Sequence, residues 1–173
     1  MKRRWLPAIA LAAMLPALLA SNKGCKQGSD VLEGMSLTEV RILQVTIDPD
    51  TSAPIVLIED LERSAVLPIV IGSGEAFAIA TALENVTLPR PMTHDLIRTI
   101  LDETHTPVVK VVITQLKDDT FYAVIVLKSK GKEIAVDSRP SDAMAVAVRT
   151  GAPIFVSTEL FRSKAIREGV VES

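Results

Sequence analysis

Residues 66–83 read VLPIVIGSGEAFAIATAL, and the order of residue types in this stretch decides which fold the chain is expected to adopt. The segment 66–71 is rich in β-branched residues, which favour extended strands. Gly72-Ser73-Gly74 then interrupts the strand. Over 75–83, Ala, Phe and Ile recur at helical spacing. The stretch therefore predicts a strand followed, after a short break, by a helix.

Further elements are predicted on both sides of this stretch. Before it, Val40–Ile47 and Pro54–Ile58 predict two strands that are joined by the turn Asp48-Pro49-Asp50-Thr51. After it, Pro89-Arg90-Pro91 forms a rigid connector, since proline fixes its own φ angle. Thr93 is a suitable N-cap for a helix that runs to about Glu103.

The same order of elements recurs after Pro107, with strands predicted over 108–116, 121–127 and 132–136 and a helix over 141–149. The turn at 48–51 aligns with Lys117-Asp118-Asp119-Thr120, and residues 75–80 align with 142–147. We interpret the recurrence as an internal duplication of a three-strand-plus-helix unit. The alternative is that two unrelated strand–turn–helix units resemble each other.

The fold class predicted from this order is α+β. Three consecutive strands in each half favour antiparallel meanders over βαβ crossovers. We expect two similar three-strand-plus-helix units that form one mixed, mainly antiparallel sheet domain with packed helices. The domain is predicted over residues 35–160 and a C-terminal tail over 161–173. Residues 37–88 and 105–152 are expected to superpose around one core of Val, Ile and Ala.

The N-terminus has the features of a secretory signal. Lys2-Arg3-Arg4 form a basic start, Trp5–Ala20 are apolar, and the run ends in the small residues Ala20-Ser21. The apolar run is shorter than the roughly 20 residues that span a bilayer. We therefore predict a signal peptide over 1–21 and a flexible tether over 22–34, with an uncleaved anchor as the alternative. The protein is expected to be exported, and to be periplasmic, envelope-anchored or extracellular.

Cys25 is the only cysteine of the chain, so no intramolecular disulfide can form. Asn22-Lys23-Gly24-Cys25 resembles the end of a bacterial lipoprotein signal, although Asn22 stands where that motif has an apolar residue. Lipidation of Cys25 would anchor the protein in a membrane. The lipoprotein and the soluble secreted form both remain open at this point.

Charge and composition limit how the mature protein could bind nucleic acid. The segment 1–21 contains three of the 19 basic residues and none of the 21 acids, so its removal leaves 16 basic residues against 21 acids. An acidic protein exerts no general attraction on nucleic acid, and any contact must use a local basic surface. Aromatic residues make up 3% of the chain, which argues against a base-stacking platform.

Three motifs resemble the bifunctional nuclease domain family. They are Leu67-Pro68-Ile69-Val70-Ile71-Gly72 followed by Glu75-Ala76, Arg90-Pro91-Met92-Thr93-His94-Asp95-Leu96, and Asp137-Ser138-Arg139-Pro140-Ser141-Asp142-Ala143. The resemblance extends from about Met35 to Leu160, with the motifs in the family's order and spacing. Members of that family are described as acting on DNA and RNA. The resemblance therefore implies phosphodiester hydrolysis with nucleic acid as the substrate.

The same motifs contain side chains that suit this chemistry. The catalytic candidates are Glu75, His94, Asp95, Asp137, Arg139 and Asp142. The carboxylates Glu75, Asp95, Asp137 and Asp142 are candidate ligands for a divalent cation such as Mg²⁺ or Mn²⁺, which would position water and offset phosphate charge. Arg90, Arg139 and Ser141 are the candidates for substrate binding, since forked arginine donors suit phosphate oxygens.

Each of these residues also has a structural explanation. Acids in the first turn of a helix complement its dipole, Ser141 could be a cap, and Arg139 could pair with an acid. The alternative to a nuclease is therefore a non-catalytic module on the same fold that binds a nucleotide or a protein partner. Among partners, a second copy of the chain in a homo-oligomer also stays open. We expect the six catalytic candidates to lie around one cleft, with Arg90 at its rim.

Overall fold

The fold is α+β, with one large sheet against which helices pack, in the computed structural model that describes residues 26–27 and 31–167. The predicted fold class is thereby confirmed. The predicted signal peptide over 1–21 and the predicted lipidation site, Cys25, lie outside the described residues. Export and lipidation consequently stay predictions.

The sheet is mixed and mainly antiparallel. In the described part of the chain its strands are β1 (Lys26–Gln27), β2 (Leu37–Ile47), β3 (Pro54–Asp60), β4 (Ala65–Val70), β5 (Val108–Lys117), β6 (Thr120–Ser129), β7 (Lys132–Ser138), β8 (Ile154–Ser157) and β9 (Ile166–Arg167). They lie in the order β1-β7-β6-β5-β8-β2-β3-β4-β9. β5 and β8 are parallel, whereas the other paired strands are antiparallel.

Four helices accompany the sheet within residues 31–167. They are α1 (Ser73–Leu83), α2 (Thr93–Glu103), α3 (Pro140–Thr150) and α4 (Thr158–Lys164). α3 is central, because both α1 and α2 pack against it. Among the described residues, no helix is both long and apolar enough to cross a bilayer.

Local sequence explains why α3 forms and where it stops. Pro140 is its first residue, where a missing N–H costs no helical hydrogen bond. Gly151 ends the helix with a φ of 70°, a left-handed conformation that glycine adopts without strain. The segment 143–147 is fully buried and consists mainly of alanine and valine, so the helix can lie close to its neighbours.

An antiparallel meander followed by a helix occurs twice in the described residues. The meander β2–β3–β4 precedes α1, and the meander β5–β6–β7 precedes α3. β8 joins the two halves, since it pairs with β2 on one side and with β5 on the other. That strand was missed by the sequence analysis. The superposition of the halves stays a prediction.

The two ends of the described chain differ from the predicted tail and tether. Beyond residue 160 the chain continues in α4, and Ile166 pairs with Val66. At the other end, Lys26 pairs with Ala135 in the sheet. Parts of the segments predicted as tether and tail therefore belong to the fold.

The apolar residues form two clusters rather than the single predicted core. The larger cluster lies between the sheet and the helices and includes Ile58, Ile79 and Met144. The smaller one, around Val112 and Val126, is covered by partly buried residues that include Val31 and Leu32. Strand alternation explains the division, because successive side chains point to opposite faces of a sheet.

Candidate active site

The N-termini of α1, α2 and α3 converge because α1 and α2 both pack against α3. Glu75 lies in the first turn of α1, whose N-cap residue is Gly72, and His94 lies in the first turn of α2. Arg139 is the N-cap residue of α3, and Asp142 lies in its first turn. Three separate motifs of the sequence thus contribute to one cluster.

Arg139 is the centre of this cluster, which we call the Arg139 cluster and which consists of Glu75, His94, Arg139 and Asp142. The Nε and Nη2 atoms of Arg139 donate to the two oxygens of Asp142 at 2.6 and 3.0 Å. Nη2 also donates to Oε1 of Glu75 at 2.7 Å. The Arg139 side chain is nevertheless 64% exposed. The guanidinium is therefore fixed at one edge and open to solvent at the other.

His94 joins the cluster through Asp142. Its Nε2 atom lies 3.1 Å from Oδ1 of Asp142, and its side chain is only 8% exposed. When Nε2 carries the proton, it donates to the carboxylate and leaves Nδ1 as the acceptor nitrogen. Asp142 consequently contacts a guanidinium and an imidazole at the same time.

Hydrogen bonds within the cluster keep Glu75, Arg139 and Asp142 ionised. The hydrogen bond from Arg139 lowers the pKa of Glu75, and this effect outweighs burial and repulsion by Asp142. Burial alone would raise the pKa of Asp142, but hydrogen bonds from Arg139 and His94 reverse the shift and lower it. The two carboxylates raise the pKa of Arg139 further, so it stays charged. The repulsion expected between clustered acids is thus compensated by an arginine.

Gly72 gives the Glu75 carboxylate room to reach Arg139. A Cβ atom at position 72 would collide with Oε2 of Glu75. The φ of Gly72 is −75°, which any residue can adopt. The glycine is therefore required here for space beside the carboxylate and not for an unusual backbone conformation.

Asp137 and Ser141 flank the cluster. Asp137 is exposed, and it lines a cavity of about 500 Å³ together with Arg139 and Asp142. Ser141 is buried and lines a neighbouring cavity of about 400 Å³, which Arg139 also borders. Thr120 and Phe121, at the start of β6, border both cavities. The space beside the cluster is thus shaped by the β5–β6 hairpin, which the sequence analysis did not assign to the site.

Asp95 has a different arrangement from the other acids. Its Oδ2 accepts a hydrogen bond from the backbone N–H of Met92 at 2.8 Å, so it caps α2. Met92 is the N-cap residue, and Thr93, which the sequence predicted for that position, is the first helical residue. The other oxygen of Asp95 accepts from Nε of Arg149 at 2.6 Å, and this bond is the main reason that the pKa of Asp95 is lowered.

Arg90 lies with Asp95 at a separate cavity, which also contains Arg149. The structure therefore links four of the six catalytic candidates by hydrogen bonds, places Asp137 beside them, and turns Asp95 toward another partner. Arg149 was missed by the sequence analysis. It lies seven residues after Asp142, which is about two helical turns, so the two side chains share one face of α3 and a common neighbour in α2.

The predicted metal ligands do not form an open ligand set. Among the described residues, no group of three or more His, Cys, Asp or Glu side chains is placed to hold one ion. Arg139 bridges the carboxylates of Glu75 and Asp142, and Asp95 is bonded to Arg149 and the α2 backbone. The side-chain arrangement as described does not fit a shared divalent cation, because a guanidinium occupies the position between the acids.

Comparison with known proteins identifies the family. Residues 55–169 match the bifunctional nuclease domain. An uncharacterized protein of Mycobacterium tuberculosis is 38% identical over 118 residues, which cover 68% of this chain and 70% of that protein. Bifunctional nuclease 1 of Arabidopsis thaliana is 30% identical over 110 residues, which cover 62% of this chain and 33% of that protein.

A further relative, Bifunctional nuclease 1 of Oryza sativa subsp. japonica, is 28% identical over 123 residues, which cover 69% of this chain and 37% of that protein. The chain belongs to the bifunctional nuclease domain family, as its motifs indicated. It spans about a third of the length of the two plant proteins. Nuclease activity of this chain is therefore a proposal and not a consequence of the match.

Proposed function

We propose that the protein is a nuclease that hydrolyses phosphodiester bonds of DNA or RNA at the Arg139 cluster. One observation carries the proposal: an exposed guanidinium is held in a fixed orientation by two ionised carboxylates, beside a histidine that one of those carboxylates contacts. Family membership supports the same conclusion. Phosphoryl transfer depends chiefly on positioning and on compensation of charge, and this arrangement provides both.

Arg139 binds and polarises the scissile phosphate in this proposal. Within the described residues its Nη1 atom donates no hydrogen bond, whereas Nε and Nη2 are occupied by Glu75 and Asp142. The exposed edge of the guanidinium can therefore donate to a phosphate oxygen. A donor that is already oriented needs little reorganisation as negative charge develops in the transition state.

His94 is the group proposed to transfer the proton. Asp142 orients its ring through Nε2, which leaves Nδ1 to accept a proton from water or to return it to the leaving oxygen. The carboxylates themselves are poor general acids, because the lowered pKa values of Glu75 and Asp142 keep them ionised at neutral pH. Asp142 is accordingly a positioning residue for both Arg139 and His94, and Glu75 is a second support for Arg139.

The proposal is tested by incubating the purified protein with single- and double-stranded DNA and RNA, for wild type and for Asp142→Asn. We expect the substitution to lower cleavage by about a hundredfold or more, the usual effect of disabling acid–base catalysis. The melting temperature should change little, since asparagine keeps the size of the side chain. Asp50→Asn is the matched control, because Asp50 is an exposed aspartate in the β2–β3 turn.

Two outcomes would contradict the proposal. If Asp142→Asn lost stability in proportion to activity, Asp142 would be a structural residue. If wild-type protein cleaved no substrate, the non-catalytic binding module would replace the nuclease. The same assay with and without a chelator tests the predicted Mg²⁺ or Mn²⁺: retained activity is expected from the guanidinium-bridged arrangement, and lost activity would show that a cation takes part.

A further inference from the structure

A cavity beside α2, which we call the arginine pocket, has an excess of positive charge. Its volume is about 570 Å³, and its charged lining residues are Arg90, Arg98 and Arg149 against the single carboxylate of Asp95. The rest of its described lining consists of threonine, asparagine, proline and aliphatic residues. A concave site with three guanidinium groups and one acid attracts anions, although the chain as a whole carries a net charge of −2.

The three arginines are held in different ways. Arg149 is 94% buried and fixed, because Nε donates to Asp95 and Nη1 donates to the Ala145 carbonyl at 3.0 Å. Arg98 makes only an exposed contact of 3.5 Å with Asp102, a kind of ion pair that contributes little. Arg90 makes no ion pair within residues 31–167. Two guanidinium groups at the mouth of the pocket thus have their charge available for a ligand.

The backbone around Arg90 supports this role. Arg90 lies between Pro89 and Pro91, and each proline ring fixes its φ angle. The connector therefore presents the arginine with less conformational freedom to lose on binding than an ordinary loop would have. Its side chain is exposed, so the guanidinium is accessible to a ligand.

The first turn of α2 connects the arginine pocket with the Arg139 cluster. His94 contacts Asp142, and the next residue, Asp95, contacts Arg149. Asp142 and Arg149 lie about 10 Å apart along the axis of α3. Phosphates of one strand in a duplex advance by about 3.4 Å per nucleotide along the axis. A phosphate in the pocket would therefore lie a few nucleotides from one at Arg139.

We propose that the arginine pocket is a second phosphate site, which holds the backbone of a polynucleotide strand a few nucleotides from the bond cleaved at the Arg139 cluster. This inference rests on the proposed nuclease function. The pocket reads backbone charge and no base sequence, because its described lining includes no aromatic side chain on which a base could stack.

Binding of a labelled single-stranded DNA oligonucleotide, measured by fluorescence anisotropy over a range of salt concentrations, tests the site. The double variant Arg90→Gln/Arg98→Gln is compared with the parent protein, both in an Asp142→Asn background that prevents cleavage. Affinity falls as salt rises, so a plot of log affinity against log salt has a negative slope. Each lost phosphate contact should make that slope about 0.7 less steep. The slope of the double variant should therefore be about 1.4 less steep than that of the parent protein. The double variant should also bind roughly tenfold more weakly at low salt.

Arg162→Gln is the control for the loss of one positive charge elsewhere, because Arg162 lines a different cavity beside α4 and β2. It should leave affinity and salt slope unchanged. In the cleavage-competent protein, the double variant should raise KM for the oligonucleotide more than it lowers kcat. Its effect on a dinucleotide should be smaller, since a dinucleotide is too short to reach both sites.

The outcomes separate this proposal from the nuclease proposal. If only the Arg90→Gln/Arg98→Gln variant binds more weakly and with less salt dependence, the arginine pocket is a phosphate site. That result would hold even if the wild-type protein cleaved nothing. Half of the double variant's loss of affinity and slope in Arg162→Gln would show that only net charge matters. An unchanged slope in the double variant would mean that Arg90 and Arg98 do not contact phosphates. If inorganic phosphate or a mononucleotide competed as strongly as the oligonucleotide, the pocket would be a site for a free anion and the polynucleotide proposal would be wrong.

Discussion

Two arginine–carboxylate pairs lie next to the first turn of α2, and they differ in which partner faces solvent. In the pair Arg139–Asp142 the arginine is 64% exposed and the acid 27%. In the pair Arg149–Asp95 the arginine is 6% exposed and the acid 39%. An exposed guanidinium held by acids can bind a substrate anion, whereas a buried one held by a capping acid fixes two helices together. The same residue types thus leave a guanidinium open to an anion in one pair and join two helices in the other.

The largest effect that this comparison predicts is the loss of activity in Arg139→Gln. Removal of one preoriented donor to a developing negative charge costs about 100- to 1,000-fold in rate in other enzymes. Because Arg139 is mostly exposed, its surface ion pairs should contribute only about 1 kcal/mol or less to the free energy of unfolding. Steady-state cleavage rates and chemical denaturation of the same preparation measure both quantities.

Arg139→Lys is the informative control for that experiment. Lysine keeps the positive charge but cannot donate in a fixed fork to both Asp142 and Glu75. We expect it to restore little activity. Full activity in the lysine variant would mean that charge alone suffices, and the oriented guanidinium would then have no special role.

The Arg139–Asp142 pair could be predicted from the sequence, whereas the Arg149–Asp95 pair could not. Arg139 and Asp142 belong to one motif and lie three residues apart, so their contact follows from local helical geometry. Arg149 reaches Asp95 only because α2 packs against α3. In the sequence, Asp95 and Asp142 look alike, since both are acids in a first helical turn. Only tertiary packing shows that Asp95 caps a helix and pairs with Arg149, whereas Asp142 pairs with Arg139.

In the fold, too, the elements that depend on long-range contacts could not be predicted from the sequence. The two meanders and the three longer helices follow from β-branched runs, turn residues and helical spacing, and the structure has them close to the predicted bounds. β8 has only four residues, and α4 has seven. Segments this short contain too few residues for a helical or strand periodicity to be recognised. Yet β8 joins the halves of the sheet, because long-range pairing with β2 and β5 stabilises it.

The second prediction concerns Arg149→Gln, which should lower stability more than Arg139→Gln does. Removal of a buried charge leaves its partner unpaired, and for fully buried pairs this costs about 3–5 kcal/mol. Asp95 is partly exposed and can be hydrated, so we expect about 2 kcal/mol. Chemical denaturation measures the difference. If the two arginine variants lost equal stability, the structural assignment of the Arg149–Asp95 pair would be wrong.

The smallest predicted effect is that of Gly72→Ala, which acts on the contact of Glu75 with Arg139 and leaves the Arg149–Asp95 pair intact. The added methyl group would occupy the place of the Glu75 carboxylate. Because Glu75 has a flexible side chain, the collision is relieved by its moving away from Arg139 and not by unfolding. The backbone at Gly72 suits alanine, so stability should stay within about 0.5 kcal/mol of wild type.

Activity of Gly72→Ala should fall only severalfold, since Asp142 still holds Arg139 through two hydrogen bonds. The double variant Gly72→Ala/Glu75→Gln separates this explanation from a general disturbance of α1. If the methyl group acts only by displacing Glu75, then adding it to Glu75→Gln should cause little further loss, because effects on one contact are not additive. Rates for the two single variants and the double variant complete the cycle. Fully additive losses would mean that Gly72 affects the Arg139 cluster by a route other than the carboxylate of Glu75.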